Sequence, residues 1–139
     1  MEDKLRLMIV DDNPRARGAL AAVISSMDWL KLICEASNGE DAIEKIGHHS
    51  PDMVLMDVEM PVMDGLKATQ IIKKNWPQVK VIILTLYPNY SSQAQRAGAD
   101  AFLVKGCSVE EMTSVIRSIR LAQQNSGVYN VGTVTLDSV

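Results

Sequence analysis

Apolar residues in this chain fall into short, nearly unbroken runs separated by longer stretches of mixed polarity. The runs are Leu5 to Val10, Lys31 to Ala36, Met53 to Met56, Val79 to Leu84 and Ala101 to Val104. A run of this length, bounded by turn chemistry, marks a strand buried on both faces, and such strands belong to parallel sheets joined by crossover helices. The intervening stretches carry helix starts. Asn13-Pro14 precedes Ala19, Leu20, Val23 and Ile24; Asn38 precedes Ala42, Ile43 and Ile46; Asp64 precedes Leu66, Ile71 and Ile72. Each pairs a capping side chain with apolar residues recurring at helical spacing. Ser108-Val109-Glu110-Glu111 reads as a capping box, and Val109, Met112, Ile116 and Ile119 follow on one predicted helical face. The segment from Asn89 to Gly98 is short and poor in apolar residues, so only a weak helix is expected there.

Five strands alternating with helices predict an α/β doubly wound parallel sheet, order 2-1-3-4-5, with helices on both faces. The pattern stops near residue 124, so residues 1–124 read as one domain. The remainder, NSGVYNVGTVTLDSV, is polar, contains glycine and has no helical period; residues 125–139 read as a C-terminal tail or linker. In such a sheet ligands bind beyond the carboxyl ends of the strands, at the point where the strand order reverses.

Polar residues gather at those ends. Asp11 and Asp12 follow the first strand, Asp57 the third and Lys105 the fifth, with Thr85 closing the fourth. The second strand, at the sheet's edge, ends without chemistry. Two unit charges about 5 Å apart at an effective dielectric near 20 repel by roughly 3 kcal/mol, and Lys105 alone cannot neutralise three carboxylates. A hard divalent cation can. Magnesium takes one or two carboxylates, keeps waters and leaves positions for phosphoryl oxygens. The constellation therefore predicts phosphoryl transfer, with Asp57 as nucleophile and Lys105, Thr85 and Mg²⁺ meeting the developing charge.

Composition narrows the setting. A chain of 139 residues can bury about two thirds of its unfolded surface without covalent staples. Cys34 and Cys107 lack metal-ligand or redox spacing and read as buried free thiols, which suits a reducing compartment. The net charge of −3 shows no basic face, so direct nucleic-acid binding is not expected. No apolar run approaches the roughly 18 residues of a membrane helix and no signal-peptide pattern appears, so a cytoplasmic protein with no membrane partner is expected. His48 and His49, being adjacent, point apart on a helix end and make a poor metal pair. Trp29, Trp76 and the eight methionines read as packing.

Asp11-Asp12, the DVEMPVMDG run, Thr85 and the AGADAFLVK stretch from Ala97 to Lys105 together resemble the receiver domain of bacterial two-component response regulators, over about residues 5–122. The resemblance implies a CheY-like, flavodoxin-like fold and a phosphoryl group accepted on Asp57 from the phosphohistidine of a sensor histidine kinase. It also implies a metal site in which Asp12 ligates Mg²⁺ directly and Asp11 directly or through water, with the Glu59 backbone carbonyl completing the set beside Asp57. Lys105 would pair with the phosphoryl group, Thr85 would turn to meet it, and Phe102 would swing inward as a switch. Two departures stand out besides Phe102, which lacks the hydroxyl a tyrosine would offer and which reads equally well as core filling. Gly106 replaces the proline that often follows the lysine, so a trans bond and a flexible loop are expected. Leu86 replaces a small residue, and its bulk is expected to oppose an inward Phe102. Glu59 and Tyr87 stand where side chains flank the path of hydrolytic water and are expected to tune phosphoryl lifetime.

The stretch KGCSVEEM is similar to regulators with a LuxR-type DNA-binding output, so an output domain outside this chain is expected. Thr113, Ser114 and Arg117 beside Val115 on the last helix leave room for a homodimer. Two other classes fit less well. A phosphatase of the haloacid dehalogenase type would want Asp-x-Asp-x followed by Thr or Val, whereas Glu59 and Pro61 follow Asp57. A flavin-binding domain would want a Ser, Thr and Gly phosphate loop where the chain has DDNPRAR, from Asp11 to Arg17.

Overall fold

The computed structural model describes residues 3–124. Five strands, β1 (Leu5–Val10), β2 (Leu30–Ala36), β3 (Met53–Met56), β4 (Lys80–Thr85) and β5 (Ala101–Val104), form one parallel sheet in the order β2-β1-β3-β4-β5. Helices α1 (Pro14–Ser25), α2 (Gly39–His49), α3 (Gly65–Asn75), α4 (Ser91–Ala97) and α5 (Val109–Gln124) connect and cover them. This is the doubly wound architecture expected from the alternation of runs.

Strand periodicity divides the core in two. Met8, Val10, Val54, Met56, Val81, Ile83 and Phe102 point to the side covered by α2, α3 and α4. Their strand neighbours Leu7, Ile9, Met53, Leu55, Ile82 and Leu103 point to the other, where α1 supplies Ile24 and α5 supplies Met112, Ile116 and Ile119. Both faces are apolar because both are covered, which explains why the strands lack polar alternation.

The caps behave as their chemistry predicts. Asn13 Oδ1 accepts the N–H groups of Arg15 and Ala16, Asn38 Oδ1 that of Asp41, Asp64 Oδ1 that of Lys67, and Ser108 Oγ that of Glu111. Two details, the exposure of Val109 and of the cysteines, differ from expectation. Val109 is 41% exposed, because at the first position of α5 it projects past the sheet toward α1. The short helix expected within Asn89–Gly98 is present as the seven-residue α4, which buries only Ala94 and Ala97 and follows a 3-10 turn, Pro88–Tyr90. Cys34 and Cys107 are free but only half-buried. Arg117 is exposed and lies over the Trp29 ring of its own chain, 4.7 Å from the centroid. His48 and His49 are exposed, and no described helix is long and apolar enough to cross a membrane. The proposed tail, residues 125–139, lies outside the described residues.

Candidate functional site

The strand order reverses between β1 and β3, and the carboxylates sit there. β1 and β3 are paired through Val10 and Met56, and the Asp57 N–H donates to the Val10 carbonyl at 2.9 Å, one residue past the ladder. Asp11 is fixed in turn by its N–H to the Ala36 carbonyl, 3.1 Å. Hydrogen-bonded backbone therefore holds both side chains beyond the sheet edge. Asp11 is buried, Asp57 half-buried and Asp12 exposed, and one oxygen of each lies within 4.8 Å of the others.

Lys105 enters from β5. Its N–H donates to the Thr85 carbonyl at 2.7 Å, and its Nζ donates to Asp11 Oδ2 at 2.6 Å and Asp57 Oδ2 at 3.1 Å. Burial pushes the Asp57 carboxyl above its ordinary range; hydrogen bonding and charge from Lys105 oppose this shift, and the Asp11 carboxylate adds to it. Burial alone would lower the Lys105 ammonium, but its bonds to Asp11 and Asp57 leave it raised. One lysine is thus shared between two acids, and the third acid remains open to solvent. Hard oxygen donors this close fit a hard divalent cation.

Backbone shape completes the pocket. A Cβ built on Gly65 would stand 1.7 Å from the Asp57 carbonyl oxygen, so only glycine lets the start of α3 pass this close to the end of β3. The Gly65 N–H donates to the Val58 carbonyl at 2.8 Å, closing the loop from Asp57 to Asp64 onto itself. Asp57 Oδ1 accepts the Val58 N–H at 2.8 Å, leaving Oδ2 toward Lys105.

The other anticipated residues are dispersed around this centre. Thr85 is buried at the end of β4, where its Oγ1 accepts the Tyr87 N–H at 3.3 Å; it makes no described bond to the carboxylates. Glu59 is exposed and turns its side chain to Tyr90, whose hydroxyl donates to Oε2 at 2.7 Å. Phe102 is fully buried in the core beneath α4, whereas Leu86 is 60% exposed. The expected obstruction does not arise: Leu86 points into solvent, and Phe102 is already inward. The described residues contain no cis peptide bond, so Lys105–Gly106 is trans, and Gly106 adopts φ 96°, a conformation that favours glycine.

Two contacts had no sequence signal. Arg17 of α1 donates from Nη1 to the Asp11 carbonyl at 2.6 Å and pairs through Nε with Glu35 at 3.3 Å, bracing the first acidic turn from behind. Tyr90 meets Glu59 across 31 residues of chain.

Residues 7–117 match the response regulator receiver domain family. The chain is 34% identical over 122 residues to the response regulator UvrY of Escherichia coli K12, covering 86% of this chain and 56% of that protein. A LuxR-family DNA-binding response regulator from Staphylococcus aureus superposes with a TM-score of 0.77 and 32% identity, over 83% of this chain and 98% of that one. A chain of the CheX-CheY-BeF3-Mg²⁺ complex from Borrelia burgdorferi superposes with a TM-score of 0.79 and 25% identity, over 84% of this chain and 90% of that one. The chain spans about 56% of the length of UvrY and 57% of the length of the response regulator GacA of Pseudomonas viridiflava. With the acidic pocket at the reversal of a five-stranded parallel sheet, this chain belongs to the receiver domains of two-component response regulators.

Proposed function

We infer that Asp57 is the phosphoacceptor of this receiver, charged by the phosphohistidine of a sensor histidine kinase. The observation that carries the reading is the sharing of Lys105 between Asp11 and Asp57, which leaves an acidic cluster one positive charge cannot balance. An oxygen of the Asp57 carboxylate forms the new bond to phosphorus, the P–N bond breaks, and the imidazole nitrogen keeps its electron pair. Lys105 then moves its ammonium from Asp57 to the phosphoryl oxygens, and Thr85 donates its hydroxyl proton to one of them. Asp11, Asp12, Asp57 and the Glu59 carbonyl are the groups that would hold magnesium, which supplies positive charge opposite the phosphoryl oxygens. The Borrelia relative, described with BeF3 and Mg, supports this choice of ion.

Phosphorylation adds charge and strong acceptors beside Thr85 and the short α4, and so biases the surface of β4, β5 and their helices between two states. The module catalyses only its own modification and turns over no external metabolite. Its output is DNA-binding and lies outside this chain, by likeness to the LuxR-family relative; the setting is cytoplasmic. Incubation with Mg²⁺ and acetyl phosphate should add one phosphoryl mass to the intact protein, and Asp57→Asn should abolish it. Uptake that persists in Asp57→Asn, or turnover of a generic phosphate ester by the wild-type protein, would overturn the assignment.

A further inference from the structure

Two loops flank Asp57: the segment from Val58 to Asp64, and the segment from Leu86 to Tyr90 that leads into α4. Among the described residues one hydrogen bond joins them, from the Tyr90 hydroxyl to Glu59 Oε2 at 2.7 Å. The Tyr90 ring is held from both sides. It packs against the core cluster that contains Phe102 and Ala94, and it meets the Tyr87 ring edge-on, with centroids 6.2 Å apart and planes at 78°. The Tyr87 N–H in turn rests on Thr85 Oγ1 at 3.3 Å, and the Tyr90 N–H on the Tyr87 carbonyl at 3.2 Å. A short chain of contacts therefore runs from the Thr85 hydroxyl to the Glu59 carboxylate. Its final link is exposed, so water can replace it when the loop shifts.

The geometry points to Tyr90 as a latch that holds the Glu59 carboxylate against the α4 side of the site and thereby lengthens the life of a phosphoryl group on Asp57. This rests on the reading of Asp57 as phosphoacceptor. While latched, the Glu59 carboxylate is occupied by the tyrosine hydroxyl. Once released, it is a free acceptor two residues from Asp57, able to take a hydrogen bond from a water and aim its lone pair at phosphorus. That water forms the new P–O bond, the bond from phosphorus to Asp57 breaks with its electron pair returning to the carboxylate, and the water's proton leaves to solvent. Tyr90 touches neither phosphorus nor the water. It is a positioning residue acting through Glu59, and the Thr85 hydroxyl can keep accepting the Tyr87 N–H while it donates to a phosphoryl oxygen.

The test is the decay of the acetyl phosphate-charged protein, followed by intact mass after removal of the donor. Tyr90→Phe removes one hydroxyl, keeps the ring and should shorten the phosphoryl half-life about three- to tenfold. Glu59→Ala keeps the backbone carbonyl but removes the carboxylate the latch acts on, so Tyr90→Phe should leave the half-life of a Glu59→Ala protein unchanged, which a general loosening of the loop would not do. An unchanged half-life in Tyr90→Phe, or an acceleration that survives in the double variant, would overturn the latch while leaving Asp57 as acceptor. Failure of the wild-type chain to charge at all would overturn both readings.

Discussion

At the carboxyl edge of the sheet one lysine, Lys105, faces three aspartates; at the amino edge one aspartate, Asp100, faces two lysines, Lys73 and Lys80. The residue types are the same, and at each edge a charged residue adjoins β5: Asp100 before it and Lys105 after it. What differs is satisfaction. Asp100 Oδ2 accepts from Lys73 Nζ at 2.9 Å and from the Val81 N–H at 2.8 Å, and Lys73 spends its other protons on the carbonyls of Pro77 and Val79. Charges at that edge are spent on holding loops. At the carboxyl edge, Asp12 is exposed and Asp57 keeps a carboxylate that burial disfavours. The unbalanced edge keeps charge that its own side chains do not neutralise, whereas the balanced one spends its charge on structure.

Breaking the balanced edge should give the larger loss of stability. Asp100→Ala strands the Val81 N–H and removes the one acid that faces both Lys73 and Lys80. Removing one partner from a part-buried charged network costs about 2–3 kcal/mol, mostly as desolvated groups left unpaired. Urea unfolding should show that loss as a lowered midpoint with unchanged slope, equal with and without Mg²⁺. A loss that Mg²⁺ reverses would mean the two edges are not separate.

Removing charge from the unbalanced edge should do the opposite. Asp57→Asn keeps the side-chain oxygen that accepts the Val58 N–H, relieves repulsion with Asp11 and leaves Lys105 its bond to Asp11. A gain of about 1–2 kcal/mol is expected in metal-free buffer, since each carboxylate pair repels by roughly 3 kcal/mol and part of that is offset by the lost bond to Lys105. The folded Asp57 pKa lies above its ordinary 3.8, so between those values the folded chain binds more protons than the unfolded one. Wild-type stability from this group therefore falls as pH rises through that window, and the advantage of Asp57→Asn grows from acid toward neutrality. Mg²⁺ should reverse the ranking: at a hundredfold excess over its dissociation constant it adds about 2.7 kcal/mol to the form that binds it. A constant difference across pH and metal would contradict the charge imbalance.

Much of this contrast was legible in the residues themselves. Apolar runs fixed the strands because both sheet faces are covered, and the acids and Lys105 stood out because strand ends are the one place such a sheet leaves open. Short-range chemistry, such as the Asn and Asp caps, was equally readable. Contacts between loops were not. Tyr90 and Glu59 meet only after β4 is paired beside β3, and neither residue differs in type from an ordinary surface position. The obstruction expected from Leu86 is absent for a related reason: bulk can be read from a sequence, but the side of a loop a side chain takes cannot. Val109 failed at a helix end, where helical spacing continues but the sheet beneath it does not.

The smallest expected effect concerns the loop beside the reactive edge. Val62 adopts φ 69°, and the Met63 N–H donates to the Pro61 carbonyl at 2.7 Å, so Val62 is the centre of a three-residue turn with positive φ. That turn is rare and strained, most of all for a β-branched residue. Val62 is 76% exposed, so its side chain returns little packing. Val62→Gly should relieve about 1–2 kcal/mol of strain and give back roughly 0.5–1 kcal/mol through the added freedom of the unfolded chain, for a net gain of under about 1 kcal/mol. At Gly106 the other loop of the site already uses glycine at φ 96°, and Gly106→Val should lose stability where Val62→Gly gains it. Thermal unfolding of the two variants would decide this, and a loss in Val62→Gly would mean the turn is held by contacts of the valine rather than against them.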